Sequence, residues 1–217
     1  MKQIPDSYRV EKIAGKIGKE YIRENHYSRS CHNGPMCWGL YDGAELIGVC
    51  AFATPASENV RASLFGPDYK DAVTELHRLH IKDVTPTNTE SWFIARALRG
   101  LKSERPSIRA VISFADSTEG HSGTIYQAMN ALYCGNTGRA RFWRDGEGRL
   151  RHPRQNGHNV TPEEAKSMGW VPEMRDSKYR YVIPVLNNES EKRWFKHNFK
   201  LNAQPYPSRQ VKEKVAA

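Results

Sequence analysis

The sequence predicts a mixed α/β (α+β) fold: a mostly antiparallel central sheet flanked by helices, with a basic C-terminal extension. Three observations carry that expectation. Asp42-Gly43 divides the apolar, alternating run "CWGLYDGAELIGVCAFAT", the signature of a hairpin between antiparallel strands. "IRAVISFAD" is almost wholly apolar, as a strand covered on both faces is. "ESWFIARALRGLKSE" and "GTIYQAMNALYC" place apolar residues at helical spacing, and helices alternating with strands pack onto a sheet.

In chain order, "VEKIAGKIGKEYIREN" reads as an amphipathic first helix with Ile13, Ile17, Tyr21 and Ile22 on one face, stopping near Asn25. A polar loop, "HYSRSCHNGPMC", leads into the hairpin. "ASENVRASLFGPDYKDAV" has little periodicity and reads as a surface excursion or a short helix. "TELHRLHIK" alternates imperfectly, as a strand with one dressed face does. The turn "DVTPTNTE" offers Thr87 or Thr89 as cap for the next helix, whose buried side is Trp92, Phe93, Ala95, Ala97, Leu98 and Leu101. After "IRAVISFAD" and its following helix come a hairpin turning at Asp145-Gly146, a short helix capped by Thr161 and a closing strand, "KYRYVIPVL". Trp38 and Trp92 lie in apolar-periodic elements and belong to the core.

The 217 residues suit one domain, residues 1–204, with 205–217 as a flexible basic tail. No apolar run is long enough for a membrane span, and the first residues lack the apolar core of a secretion signal, so a cytoplasmic protein is expected. Cys31, Cys37, Cys50 and Cys134 are too scattered for a disulfide framework, and the Cys31–Cys37 spacing argues against a zinc site with His32.

The formal net charge of +9 points to a polyanionic partner. The charge is uneven. "GRARFWRDGEGRLRHPRQ" packs Arg139, Arg141, Arg144, Arg149, Arg151 and Arg154 around Phe142 and Trp143, although such a run also suits a merely solvated hairpin. "EKRWFKHNFK" again interleaves Trp194, Phe195 and Phe199 with cations; its rings either anchor the tail or stack on a base.

A third cluster sits where a strand meets a helix. Ser113, Asp116, Ser117, Thr118, Glu119 and His121 crowd the stretch "VISFADSTEGHSG", at the kind of strand end where ligands collect in α/β sheets. Helix capping explains Asp116 equally well. His121 lies between Gly120 and Gly123 in a flexible turn, without the motif of a nucleophile elbow.

The element order over residues 10–185 resembles the GNAT-like acyltransferase fold. The position of that fold's glycine-rich pyrophosphate loop reads "TPTNTES" here, without the glycines, leaving only helix-terminal amides to hold an anion. "ENHYSR" and "ISFAD", with the arginine-rich hairpin, resemble the Mom family of phage DNA-modification proteins. That family sets a GNAT-like core on duplex DNA and converts adenine to its carbamoylmethyl (acetamido) derivative, protecting phage DNA from restriction.

The resemblance implies His26, Tyr27, Ser113, Asp116 and Tyr126 as functional residues. Tyr126 falls where a GNAT tyrosine protonates a departing thiolate. Iron is implied too, with His26, Tyr27 and Asp116 as its ligands. The partners implied are double-stranded DNA with a flipped adenine and an activated glycine or acyl donor, an acyl-CoA or an aminoacyl-tRNA, hence also tRNA.

Attack by the exocyclic amine needs a base and an oxyanion donor. Asp116 is the expected base, its pKa raised by desolvation. His26 shares proton traffic or orients the base, Tyr27 holds or stacks the purine, and Ser113 donates to the oxyanion. Arg139, Arg141, Arg144, Arg149 and Arg151 hold phosphates, while Trp143 or Phe142 wedges into the gap left by the flipped base. Two other classes stay open: a GNAT-like N-acetyltransferase for a protein or small-molecule amine, and a DNA-binding module without catalysis.

Overall fold

Tyr8–Ile13 forms a strand, β1, where the sequence reading began the first helix. Tyr8 and Val10 pack against the main core, and the strand pairs antiparallel with the hairpin that follows, from Tyr8↔Asp42 to Ile13↔Cys37. Ala14 is extended, so helix α1 begins only at Gly15 and runs to Asn25, burying Gly18, Tyr21 and Ile22. The structure is a computed structural model and describes residues 3–155 and 158–207.

The hairpin is as expected: β2 (Met36–Asp42) and β3 (Glu45–Ala53) turn at Gly43, whose φ of +56° suits a residue without a side chain. The weakly periodic segment contains α2 (Glu58–Phe65), held by fully buried Leu64 and Phe65, and a 3-10 turn over Pro67–Ala72. β4 (Val73–Ile81) and α3 (Thr89–Glu104) follow. Neither threonine caps α3. Asn88, at φ +72°, stands at its N-terminus, while Thr89 is buried and its hydroxyl donates to the Pro86 carbonyl at 2.7 Å.

β5 (Ala110–Asp116) is buried along almost its whole length. The helix expected through Cys134 is much shorter: α4 covers Thr124–Ala128, Asn130 turns back at φ +55°, and β6 takes Leu132–Asn136. Residues 137–177 then form an insert. It contains β7 (Ala140–Arg144), β8 (Leu150–Arg151), β9 (Arg154–Gln155), β10 (His158–Asn159), α5 (Pro162–Ser167) and β11 (Val171–Arg175). Thr161 caps α5 in a reciprocal capping box with Glu164. β12 (Lys178–Pro184) returns to the main sheet, and α6 (Glu189–Asn198) follows.

The main sheet has seven strands in the order β1-β2-β3-β4-β5-β12-β6. Every neighbouring pair is antiparallel except β4 and β5. The mixed, mostly antiparallel sheet flanked by helices is thus the predicted class. One face packs on α3 through Trp38, Leu40, Phe52, Phe93 and Leu101. The other packs on α2 and α6 through Leu64, Phe65, Ile112, Val182 and Phe195.

Phe65 lies 5.0 Å from Trp194 and 5.4 Å from Phe195, ring centre to ring centre, so the aromatics of the second basic stretch anchor α6 to the body. Burying such rings contributes roughly 2 kcal/mol each. Of the segment read as a tail, the Tyr206 hydroxyl donates to the Ala131 carbonyl at 3.0 Å; residues 208–217 lie outside the described residues. No helix among the described residues is long and apolar enough to cross a membrane.

One departure from regular pairing positions the site. β4 and β5 pair only from Val73↔Ala110 to Glu75↔Ile112, although β4 continues to Ile81 and β5 to Asp116. Beyond that point the two strands part.

Candidate active site

A cavity of about 620 Å³ fills the gap between the parted strands. β4 lines it with Glu75, Leu76, His77, Arg78 and Leu79, and β5 with Phe114, Ala115 and Asp116. The end of α1 adds His26 and Tyr27, the 120–126 loop closes another side, and Lys178 enters from the start of β12. Both Gly120 and Gly123 have positive φ in that loop. A Cβ on Gly123 would lie 2.3 Å from the Tyr181 ring, so only glycine lets the loop pass.

His26 ends α1, its amide donating to the Ile22 carbonyl at 3.0 Å, and is 8% exposed. Its Nδ1 accepts the Ser28 amide at 3.1 Å and lies 2.9 Å from the Ser28 hydroxyl. An acceptor Nδ1 leaves the proton of the neutral ring on Nε2. Burial, followed by the Arg78 charge and the imidazoles of His80, His77 and His121, pushes the His26 pKa down to about 4. His26 is therefore a neutral hydrogen-bond donor at Nε2 near pH 7.

Tyr27 stacks on His26 with ring centres 4.3 Å apart and lies 5.9 Å from His121. The residue is 58% exposed, yet desolvation of the part entering the cleft, and then Asp116, raise its phenol pKa. The three rings make an aromatic rim.

Asp116 is buried and holds several partners. One carboxylate oxygen accepts the Thr118 amide at 3.1 Å; the other lies 3.0 Å from Lys178 Nζ and 3.5 Å from an Arg175 nitrogen. The expectation of a raised pKa is corrected here. Burial works upward, but Lys178, Arg175 and the Thr118 amide outweigh it and hold the carboxyl below its usual value. The capping role and the site position coincide in one residue.

Ser113 is 1% exposed, and its hydroxyl donates to the Leu76 carbonyl at 3.0 Å. With that proton committed, the Tyr126 hydroxyl 2.7 Å away is the donor to Ser113 Oγ. The oxyanion role expected for Ser113 is corrected to a structural one: it holds Tyr126 across the gap between the strands. Burial pushes the Tyr126 pKa up to about 12, so its phenol keeps its proton.

The iron reading does not fit this donor set. A metal on His26 Nε2 would displace the proton that the Nδ1 contact places there, and Asp116 is already shared by two cations and an amide. No group of three His, Cys, Asp or Glu side chains is arranged to hold a metal among the described residues.

The insert's arginines are largely partnered. Arg139 pairs with Asp176 at 3.3 Å, Arg144 with Glu173 at 2.5 Å, Arg149 with Asp145 at 3.1 Å and Glu147 at 2.6 Å, and Arg151 with Asp145 at 2.7 Å. Arg141 is exposed and stands 5.9 Å from the Trp143 ring centre. The wedge role expected for Trp143 is corrected: it is 3% exposed, at the centre of the insert's own core with Val160, Ala165 and Trp170. Phe142 is partly exposed and packs edge-on against His152.

His26, Tyr27, Asp116 and Tyr126 thus meet at one cavity, whereas the arginine hairpin stands apart in the insert. Sequence reasoning missed Arg78, His77, Lys178 and Arg175. Arg175 links the two regions, reaching Glu119 at 3.0 Å and Asp116 from the last position of β11.

The solved structures to which the chain is similar include an N-acetyltransferase from Staphylococcus aureus Mu50 and a spermidine N-acetyltransferase from Vibrio cholerae. The first is 10% identical, covering 82% of this chain and 99% of that one, with a TM-score of 0.46. The second is 8% identical, covering 83% and 95%, with a TM-score of 0.48. In sequence, the chain is 29% identical over 207 residues to the methylcarbamoylase mom of Escherichia phage Mu, covering 92% of this chain and 83% of that protein. Residues 7–208 match the Mom protein family, a span that holds "ENHYSR", "ISFAD" and the whole cleft between them, and the chain is a member of that family.

Proposed function

We propose that this protein is a DNA-modifying transferase that places a glycine-derived carbamoylmethyl group on the exocyclic amine of adenine and so shields phage DNA from restriction in the host cytoplasm. The observation that carries this reading is the convergence of His26, Tyr27 and Asp116 on one cavity where β4 and β5 part. The family membership and the relative named a methylcarbamoylase support it.

A duplex hides adenine N6 in the base pair, so the nucleotide turns outward at a cost of a few kcal/mol. The rim of Tyr27, His26 and His121 offers the purine a stacking surface. Asp116, ionised at neutral pH, accepts an N–H of the amine and orients it. As N6 bonds to the activated carbon of the donor, the bond from that carbon to the leaving group breaks, and N6 becomes a strongly acidic cation, which even a weak carboxylate base deprotonates. His26 Nε2–H donates to the donor's oxygen, and the Tyr126 hydroxyl turns from Ser113 Oγ to give its proton to the leaving group. The donor is an activated glycine derivative, an acyl-CoA or an aminoacyl-tRNA. Attack at its carbonyl gives the isomeric glycyl amide N6–CO–CH2–NH2, so the carbamoylmethyl product N6–CH2–CO–NH2 requires that the new bond to N6 end on the methylene carbon. Asp116 thus acts as an orienting group and proton acceptor of low pKa.

The test is nucleoside mass spectrometry on DNA from cells expressing the parent, His26→Ala or Asp116→Asn. A modified adenine in the parent, lost in both variants, is the expected result. Unmodified DNA from a folded, well-expressed parent overturns the reading.

A further inference from the structure

Arg78 has no part in the steps above, yet its guanidinium lines the cavity beside Tyr27, Cys31, Glu75 and Tyr126. Three of its five N–H groups are spent. Nε donates to the Ser30 carbonyl at 2.9 Å, Nη2 to the Ser30 hydroxyl at 3.1 Å, and Nη1 to the His77 carbonyl at 2.7 Å. All three acceptors are neutral. Among the described residues no carboxylate lies within ion-pair distance; Glu75, the acid nearest in influence, is turned to His77 at 3.4 Å. Burial lowers the Arg78 pKa, as it does for a cation without an adjoining counter-charge.

A partly buried guanidinium without a carboxylate partner is costly unless an anion completes it. By count, one N–H remains on each terminal nitrogen, enough to donate to two oxygens of one anion. The neighbourhood also limits the charge of that anion. Asp116 and Glu119 are already paired with Lys178 and Arg175, so Arg78, left without a carboxylate among the described residues, matches a singly charged group better than a doubly charged phosphate monoester.

We infer that Arg78 is the anion-recognition residue of the cleft, binding a singly charged, two-oxygen group of a substrate. That chemistry has two sources: the carboxylate of a small amino-acid-like donor, or the phosphodiester beside the extruded nucleotide. The inference rests on the cleft being the reacting site, and its test reads binding without turnover, so its failure is distinct from failure to find modified adenine.

The full chain is titrated, following the Arg78 guanidinium resonances and the dissociation constant, with two matched probe pairs. N-acetylglycine is compared with N-acetylglycinamide, and a short single-stranded oligodeoxynucleotide containing one adenine with the same oligonucleotide carrying neutral methylphosphonates on both sides of that adenine. One charged probe shifts Arg78 and binds about tenfold tighter than its neutral partner, and Arg78→Gln removes that difference, with Arg78→Lys in between. A response to N-acetylglycine identifies a donor carboxylate; a response to the oligonucleotide identifies the backbone phosphate. Ser30→Ala, which loosens the loop but keeps the charge, retains the discrimination. Charged and neutral probes binding alike in both pairs, or Ser30→Ala losing as much as Arg78→Gln, overturns the inference.

Discussion

The Ser28 backbone amide points at Nδ1 of His26 from 3.1 Å, so the residue two positions after the histidine determines which of its nitrogens carries the proton. Long-range proton–nitrogen correlation spectra should show an Nε2–H ring that stays neutral until the pH approaches 4. Ser28→Pro, which lacks the amide, should release the tautomer while the midpoint stays depressed, because burial and the Arg78 charge remain. A wild-type ring protonated at Nδ1, or titrating near 6.5, contradicts the assignment.

The same shift makes stability depend on pH. The folded-state pKa of about 4 lies below the unfolded value, so between roughly 4 and 6.5 the unfolded chain binds more protons at this site. Stability therefore falls as the pH drops through that window, by up to roughly 3 kcal/mol from His26 alone. Above about 6.5 the penalty is absent. Chemical denaturation at a series of pH values should show a shallower acid-side slope for His26→Asn than for the parent. Parallel slopes contradict the shift.

Asp116→Asn leaves Arg175, only 15% exposed, with Glu119 and Glu173 as its remaining acids, and leaves Lys178 without its carboxylate. Stability should fall by roughly 2 kcal/mol. Adding Lys178→Met should recover part of that loss, because the double variant no longer strands the lysine beside a neutral amide. Denaturation midpoints of the two single variants and the double variant test this; simple additivity would mean that the pair is not coupled.

In the insert, Trp143→Ala empties the centre of a small core and should cost about 3 kcal/mol. DNA binding then disappears only in step with unfolding. Arg141→Ala should weaken binding to all sequences and shallow the salt dependence by about one phosphate contact. Arg149→Ala should leave the salt slope nearly unchanged, since that side chain already faces Asp145 and Glu147. Salt titrations of affinity separate the two arginines, and equal slopes for both variants would contradict the distinction.

Elements that announce themselves locally were legible in the sequence. The Asp42-Gly43 turn and the Thr161 cap rest on contacts within a few residues, and β5 shows in its unbroken apolar composition although its partners β4 and β12 are distant. β1 was hidden because Ile13 continues the helical spacing of Ile17 and Tyr21, and only pairing with β2 makes it a strand. β6 was hidden because "QAMNALYC" keeps a helical pattern through Asn130, where the chain turns. At the site, His26, Tyr27 and Asp116 were reached through the family resemblance rather than from local pattern. The ion pairing of Asp116 depends on Arg175, 59 positions away, and on Lys178, beyond the reach of motif or periodicity. Trp143 misled because an aromatic among arginines looks exposed until its insert partners, Val160 and Ala165, are folded against it.

The insert enters and leaves the sheet at one rung. The Thr137 amide donates to the Lys178 carbonyl at 2.9 Å, and the Lys178 amide donates back to the Thr137 hydroxyl at 2.8 Å. Its entrance and exit therefore sit side by side, like the two ends of a cassette. Segments of other lengths and charges can be spliced between those two positions with every strand of the sheet left where it is, provided that a cation still reaches Asp116 from the new piece.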